Sequence, residues 1–144
     1  MNGLVEQLLA EEEGRDPCAY PDSRGLLTIG IGCLVDRRVP GAGLCDEAIA
    51  AQFAHDSAAA RELAPRFLGF ERCNEVQQAV LISMCFQMGP KPLHWPNFCR
   101  AIQVGDYAEA ARHGLDTVWA REQTPRRARR QMKMLETGLW VKRE

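Results

Sequence analysis

Two carboxylates and one hydroxyl are spaced along the first thirty residues in a pattern that could support hydrolysis. Glu13 ends an acidic triplet, Asp22 stands nine residues later, and Thr28 follows after six more. A protonated carboxyl group can donate a proton to a leaving oxygen while an ionised carboxylate activates water. A nearby hydroxyl can position that water. This is the chemistry that glycoside hydrolysis requires.

Each of these residues also has a simple structural explanation. Asp22 lies in a Pro-Asp-Ser-Arg-Gly stretch, and aspartate is a common turn former in such a context. Glu13 can equally be a solvated acid at the end of a helix. The three residues alone therefore leave both catalysis and plain structure open.

The segments around these residues predict a helix, a turn and a strand that can converge on one cleft. Apolar residues in the segment 4–12 recur at helical spacing, and Gly14 is placed to end that helix. Short apolar runs between prolines and glycines in residues 17–35 predict a small antiparallel sheet. Its turn should lie near residues 22–25.

The remainder of the chain has a helical pattern. Helices are predicted to begin near Asp46 and at Pro96. Asn74 and Asp106 are predicted N-caps of two more, and Thr124 is the predicted N-cap of a helix that begins with Pro125. Prolines and glycines are placed to end these helices. The sequence therefore predicts an α+β fold.

Composition is that of an ordinary globular chain. Of 144 residues, 46% are hydrophobic and 26% charged, and no apolar run approaches the roughly 20 residues of a membrane span. No secretory signal is visible at the start, so we expect none. Membrane, fibrous and disordered classes are excluded.

The net charge of −1 conceals a gradient along the chain. Residues 1–62 carry 11 acidic and 5 basic residues, whereas residues 121–144 carry 3 acidic and 8 basic ones. A basic end of this kind can bind nucleic acid, bind an anionic wall polymer, or form a solvated helix face. The acidic first half and the lack of a recognition motif argue against a general nucleic-acid binder.

Six cysteines are spread without any C-x-x-C pair, which argues against a zinc cluster. An even count is compatible with disulfides, but the length of the chain and the absence of a signal favour reduced thiols. We expect them to act as small hydrophobic residues in the core. These are Cys18, Cys33, Cys45, Cys73, Cys85 and Cys99.

Three separated motifs resemble phage-type lysozymes of the T-even class. The first runs from Glu13-Gly14 through the Pro-Asp-Ser-Arg-Gly turn to Thr28-Ile29-Gly30-Ile31-Gly32, with the family's E-x(8)-D-x(5)-T spacing. The second is the segment 78–89, which resembles a central buried helix and the cleft lip after it. The third, residues 123–140, resembles the family's C-terminal signature. The resemblance covers nearly the whole chain in order.

The resemblance implies an inverting muramidase. Glu13 is then the general acid, Asp22 the base that activates water, and Thr28 a residue that helps to place that water. Arg127 is implied to hold the acid in position, although a surface charge remains the alternative. The resemblance also implies that the cleft is lined by sugar-binding residues, which are Leu34, Phe86 and Gln87. For Phe86 the alternative is the apolar end of a buried helix.

Two departures from the family pattern are visible. Cys33 stands where the family commonly has histidine, so an ion pair made by that histidine is lost here. The stretch between Cys33 and Asp46 is also shorter than in the T-even prototype, and a Pro/Gly loop at 36–43 replaces a helix. We expect one side of the cleft to be more open, with an effect on substrate preference.

The implied architecture is a single lysozyme domain over residues 1–144, with the active-site cleft between two lobes. A small antiparallel sheet lobe should occupy about 14–45, a linking helix about 46–63, and a larger helical lobe about 64–144. The N-terminal helix, 3–12, should pack on the helical lobe.

The implied partner is the peptidoglycan glycan strand. We expect a monomer with no cofactor, no metal, no nucleic-acid partner and no membrane insertion. Such a protein should stay in the host cytoplasm until lysis and then act on the cell wall. The alternative is a catalytically silent peptidoglycan-binding scaffold of the same fold. Retention of Glu13, Asp22 and Thr28 together argues against that alternative.

Overall fold

The structure is a computed structural model that describes residue 11 and residues 14–31, 33–35 and 43–142, with the backbone alone at Leu34. The chain divides into two compact units, Met1–Gln52 and Phe53–Glu144. Nearly all of the predicted helix at 3–12 and of the predicted loop at 36–43 lies outside the described residues.

The first unit contains a three-stranded antiparallel sheet. Its strands are β1 (Asp16–Pro21), β2 (Leu27–Gly30) and β3 (Cys33–Leu34), in the spatial order β1-β2-β3. The turn between β1 and β2 falls at residues 22–25, as the sequence predicts. Thr28 pairs with Tyr20 on one side and Leu34 on the other, so it lies on the middle strand.

Helices make up most of the described chain. The α-helices are α1 (Asp46–Leu63), α2 (Glu75–Met88), α3 (Pro96–Val104), α4 (Tyr107–Leu115) and α5 (Pro125–Thr137). A π-helical segment spans Trp119–Gln123, and short 3₁₀ turns span Ala64–Arg66, Phe70–Arg72 and Lys91–His94. A small antiparallel sheet with a mostly helical remainder is the predicted α+β fold.

Side chains cap the starts of α2 and α4 but not those of α3 and α5, which both begin with proline. Asn74 and Gln77 form a capping box at the start of α2, and Asp106 accepts the Glu109 N–H at the start of α4. The predicted N-cap role of the Thr124 side chain is wrong. Its hydroxyl makes no capping bond and instead accepts a hydrogen bond from Gln87 Nε2 at 3.2 Å.

The hydrophobic core of the second unit is built around large side chains from several helices. Trp119, Phe67 and Phe98 are fully buried there. On α5 the predicted apolar face of Ala128, Met132 and Leu135 is buried, which confirms the helical pattern.

Cysteine burial follows the prediction only in part. Cys73 and Cys85 are buried in the core, and all six cysteines are free. Cys18 and Cys45 are exposed, so the prediction that they fill a core is wrong. The reason is local, because most residues of β1 around Cys18 are exposed, as are the residues just before α1 around Cys45.

No helix in the described ranges combines the length and the hydropathy that a membrane crossing needs.

Candidate active site

Asp22 is held by the backbone of the turn that follows it. Its Oδ1 accepts the N–H groups of Arg24 and Leu26, each at 2.8 Å. The backbone of Asp22 closes the same loop, since its N–H donates to the Leu26 carbonyl at 2.8 Å and its carbonyl accepts from Gly25 at 2.9 Å. Gly25 has a φ of +76°, a left-handed conformation that glycine adopts at no steric cost. The carboxylate therefore has a fixed orientation.

The same contacts keep Asp22 ionised. The hydrogen bond from the Leu26 N–H lowers the pKa of the carboxyl below its usual value of 3.8, partial burial opposes this, and Arg24 lowers it further. The side chain is 21% exposed, and Arg24 Nη2 lies 3.6 Å from Oδ2. Because Oδ1 is committed to the loop, Oδ2 is the oxygen suited to accept a proton from water.

Thr28 is joined to Asp22 through Leu26. Thr28 is 3% exposed, and its Oγ1 donates to the Leu26 carbonyl at 3.1 Å. The hydroxyl proton is thus engaged, and the lone pairs of Oγ1 are the part that can receive a donor. Sequence reasoning missed the part played by the Leu26 backbone. The available signal was its position at the end of a tight turn, two residues before the candidate threonine.

Other candidate residues of the first unit are not described at the level of the side chain. Glu13 and the side chain of Leu34 lie outside the described residues, so the predicted separation of the two carboxylates stays a prediction. Cys33 makes a long contact, 4.0 Å from its Sγ to the Gly43 carbonyl. Within the described ranges, no group of three His, Cys, Asp or Glu side chains is placed to hold a metal ion.

In the second unit, Arg127 contacts α2. Its Nη2 donates to Ser83 Oγ at 3.1 Å, and the same oxygen accepts from Gln131 Nε2 at 2.7 Å. Arg127 is exposed, Ser83 is half-buried and Gln131 is buried. The predicted contact of Arg127 with Glu13 stays a prediction because Glu13 is not described. Sequence reasoning did not identify Ser83 or Gln131.

Gln87 lies at the centre of a second hydrogen-bonded group. Its Oε1 accepts from Trp119 Nε1 at 3.0 Å, while its Nε2 donates to Thr124 at 3.2 Å. One N–H of the amide and one lone pair of its oxygen are left over by these two bonds. The neighbouring Phe86 is 45% exposed and is therefore not the buried end of a core helix, whereas Met88 packs against the core.

The candidate residues thus form two groups, one in each unit. Asp22 and Thr28 share the Leu26 loop in the first, while Phe86, Gln87 and Arg127 lie on α2 and α5 in the second. A search of curated proteins gave no match. The family model described as phage lysozyme matches residues 10–138, a range that contains every candidate residue named above and almost the whole chain. The chain belongs to the phage lysozyme family.

Proposed function

We propose that this protein is an endolysin that cleaves bacterial peptidoglycan at the β-1,4 bond between N-acetylmuramic acid and N-acetylglucosamine. Membership of the phage lysozyme family supports a lysozyme or endolysin role in general. The observation that carries the finer proposal is the Leu26 loop, in which the backbone of one residue bonds both the ionised Asp22 carboxylate and the Thr28 hydroxyl. The expected reaction is an inverting hydrolysis.

In this mechanism Asp22 is the base and Thr28 assists it. A water that donates one proton to Asp22 Oδ2 and another to Thr28 Oγ1 has an oxygen lone pair directed at the anomeric carbon. Its nucleophilicity rises as Asp22 takes the proton, and the water oxygen becomes the new anomeric hydroxyl. The lowered pKa of Asp22 keeps the carboxylate ionised at neutral pH before the reaction.

Glu13 is the proposed acid. It gives its proton to the glycosidic oxygen as the bond to the anomeric carbon breaks, so that the leaving sugar departs as a neutral alcohol. An inverting enzyme needs its two carboxyl groups roughly 6.5–9.5 Å apart to leave room for the water. We propose that Arg127 positions this acid.

Sugar contacts are proposed for Leu34, Phe86 and Gln87. A half-exposed aromatic ring such as Phe86 offers apolar area to one face of a sugar. The unused N–H and lone pair of the Gln87 amide suit the N-acetyl groups of the substrate.

The proposed setting follows from this substrate. A monomer works alone on a glycan strand, without a cofactor, a nucleic acid or insertion into a membrane. The protein is held in the host cytoplasm until lysis and then reaches the wall.

The decisive experiment compares Glu13→Gln with Glu12→Gln, a matched control one residue away that does not fit the spacing to Asp22. Purified Gram-negative sacculi are the substrate, and the readouts are new reducing ends and the anomeric configuration of the fresh product by proton NMR. We expect the wild type and Glu12→Gln to release α-anomers and Glu13→Gln to release almost none. Lysis by Glu13→Gln near the wild-type rate would contradict the role of the acid.

The same assay tests the alternative of a silent scaffold. A scaffold binds sacculi in a pelleting assay and releases no reducing ends. Release of β-anomers by the wild type would instead mean a retaining mechanism, and the base role of Asp22 would be wrong.

A further inference from the structure

We infer that Ser83 and Gln131 are positioning residues that fix the orientation of the Arg127 guanidinium. The inference rests on the proposed function, in which Arg127 contributes to hydrolysis. It adds two residues from two helices to that function. Both lie within the segments 78–89 and 123–140 that resemble the family, but the sequence analysis assigned no role to either.

The geometry places one hydroxyl between two donors. Ser83 Oγ on α2 accepts from Arg127 Nη2 at 3.1 Å and from Gln131 Nε2 at 2.7 Å, both donors being on α5. A serine oxygen has two lone pairs, so these two bonds use its full capacity as an acceptor. Arg127 and Gln131 are four residues apart and therefore share one face of the helix. The shared acceptor couples the orientation of the guanidinium to that of the buried amide.

Gln131 is an unusual residue for its position. It is 6% exposed and lies on the α5 face formed by Ala128, Met132 and Leu135, where a leucine would suit the surroundings. Within the described residues its Oε1 is buried and has no hydrogen-bond partner, which costs stability. Among the residues that the structure describes, its side chain makes one hydrogen bond, to Ser83. The hydrogen bond to Ser83, rather than packing, therefore explains why an amide stands at this position.

An arginine whose guanidinium is held in one orientation can position another group, whereas one that rotates freely cannot. The guanidinium is a planar fork on a long, flexible stem, and an exposed arginine samples many rotamers. With Nη2 held by Ser83, the plane of the fork is fixed and its other N–H groups point in defined directions. Positioning of this kind favours the reacting geometry rather than substrate affinity, so its loss should lower kcat more than it raises KM.

A double-mutant cycle tests whether Ser83 acts through Arg127. Ser83→Ala should lower kcat on sacculi roughly tenfold, because the guanidinium loses the acceptor that orients it. In an Arg127→Ala background the same change should lower kcat less than about twofold, because nothing is left to position. Effects that multiply independently in the double variant would overturn the inference.

Ser57→Ala is the matched control. Ser57 is also a helical serine and is more buried than Ser83, and its hydroxyl donates to the Ala54 carbonyl within its own helix. We expect kcat for this variant to equal that of the wild type. A tenfold loss from Ser57→Ala would mean that removal of any helical serine hydroxyl lowers kcat, and the case for Ser83 would fail.

Gln131→Leu separates positioning from stability. The substitution removes the unsatisfied oxygen and keeps an apolar volume, so the melting temperature should stay the same or rise. The value of kcat should nevertheless fall several-fold, since Ser83 loses the amide that orients it. Full activity at unchanged stability would remove Gln131 from the network.

A measurement independent of activity distinguishes this inference from the proposed function. Nitrogen-15 NMR of the guanidinium should give separate, slowly exchanging Nη signals for Arg127 in the wild type and averaged signals in Ser83→Ala. If the wild type releases no reducing ends, the proposed function fails, and these signals still decide whether Arg127 is held. Averaged signals in the wild type would overturn the inference.

Discussion

At the scale of single residues, the oriented carboxylate of Asp22 depends on backbone amides rather than on other side chains. Two backbone N–H groups bind Oδ1 at 2.8 Å, whereas the Arg24 guanidinium is farther from the carboxylate, with its Nη2 3.6 Å from Oδ2. The sequence places Asp22 correctly in a turn, because aspartate and glycine favour turns. It does not reveal that the Leu26 backbone donates its N–H to Asp22 and accepts the Thr28 hydroxyl at its carbonyl. That coupling depends on the local path of the chain, which the residue types leave open.

Asp22→Asn should abolish activity and preserve the loop. The asparagine Oδ1 can still accept from Arg24 and Leu26, but the amide cannot take a proton from water. We expect reducing-end release from sacculi to fall at least about a hundredfold, with an unchanged far-ultraviolet circular dichroism spectrum.

Asp16→Asn is the matched control for that change. Asp16 also accepts a backbone N–H two residues ahead, from Cys18 at 2.9 Å, and no catalytic role is assigned to it. Activity should survive this substitution. An Asp22→Asn variant as active as Asp16→Asn would remove Asp22 from the mechanism.

The titration of Asp22 should be governed by the loop. Its folded-state pKa lies below 3.8, so the stability that it contributes is present above the unfolded pKa and is lost as pH falls through the folded value. Carbon-13 NMR of the carboxyl should give a pKa below 3.8. Because the Leu26 hydrogen bond is the largest cause, Arg24→Ala should raise this pKa only slightly. A return to the ordinary value in Arg24→Ala would mean that charge, and not the loop, holds the carboxylate ionised.

At the scale of elements, the starts of the helices were the most predictable feature. Asn74 and Asp106 cap as their types indicate, because a short polar side chain satisfies amides one turn ahead. Thr124 does not, because its hydroxyl is taken by Gln87, 37 residues earlier in the chain. Residue types near a helix start therefore predict its cap correctly, except where a residue distant in sequence binds the same atom. The network of Ser83, Arg127 and Gln131 was missed for the same reason, since it joins two helices.

The contact between α4 and α5 depends on Gly114. This glycine is buried near the end of α4, and a Cβ there would overlap the side chain of Met132 on α5. Gly114→Ala should therefore lower the free energy of unfolding by about 1–3 kcal/mol, as overpacked cores do. Urea unfolding followed by circular dichroism measures the change.

Helix propensity alone predicts the opposite sign at Gly114, since alanine is favoured over glycine by about 1 kcal/mol inside a helix. Ala108→Gly on the exposed face of α4 gives the size of that propensity effect in the same helix. A Gly114→Ala variant that is more stable than the wild type would mean that Met132 moves aside without cost. The close approach of α4 and α5 would then not explain the glycine.

At the scale of the whole molecule, the sequence predicted the α+β fold but not which cysteines are buried. Cys73 and Cys85 lie in the core of the helical unit, where burial raises the pKa of both thiols, that of Cys85 to about 11. Cys18 and Cys45 lie on exposed backbone in the other unit. Cysteine is hydrophobic enough to favour burial. Whether a core lies beside it depends on packing between distant segments, which the local sequence does not show.

The thiols can therefore report global opening of the helical unit. Cys18 and Cys45 should react with a chromogenic disulfide reagent within the dead time of mixing at pH 8, because the thiolate is the nucleophile and access is free. Cys85 should react only through unfolding, since both its burial and its high pKa suppress the thiolate. All six thiols should become reactive in denaturant without reductant. The labelling rate of Cys85, followed by peptide mass spectrometry, should rise in Gly114→Ala about tenfold for every 1.4 kcal/mol of stability lost, while that of Cys18 stays constant. Equal labelling rates for Cys85 in the wild type and in a destabilised variant would mean that this thiol is reached by local motion, and the burial of the α2 core around it would be wrong.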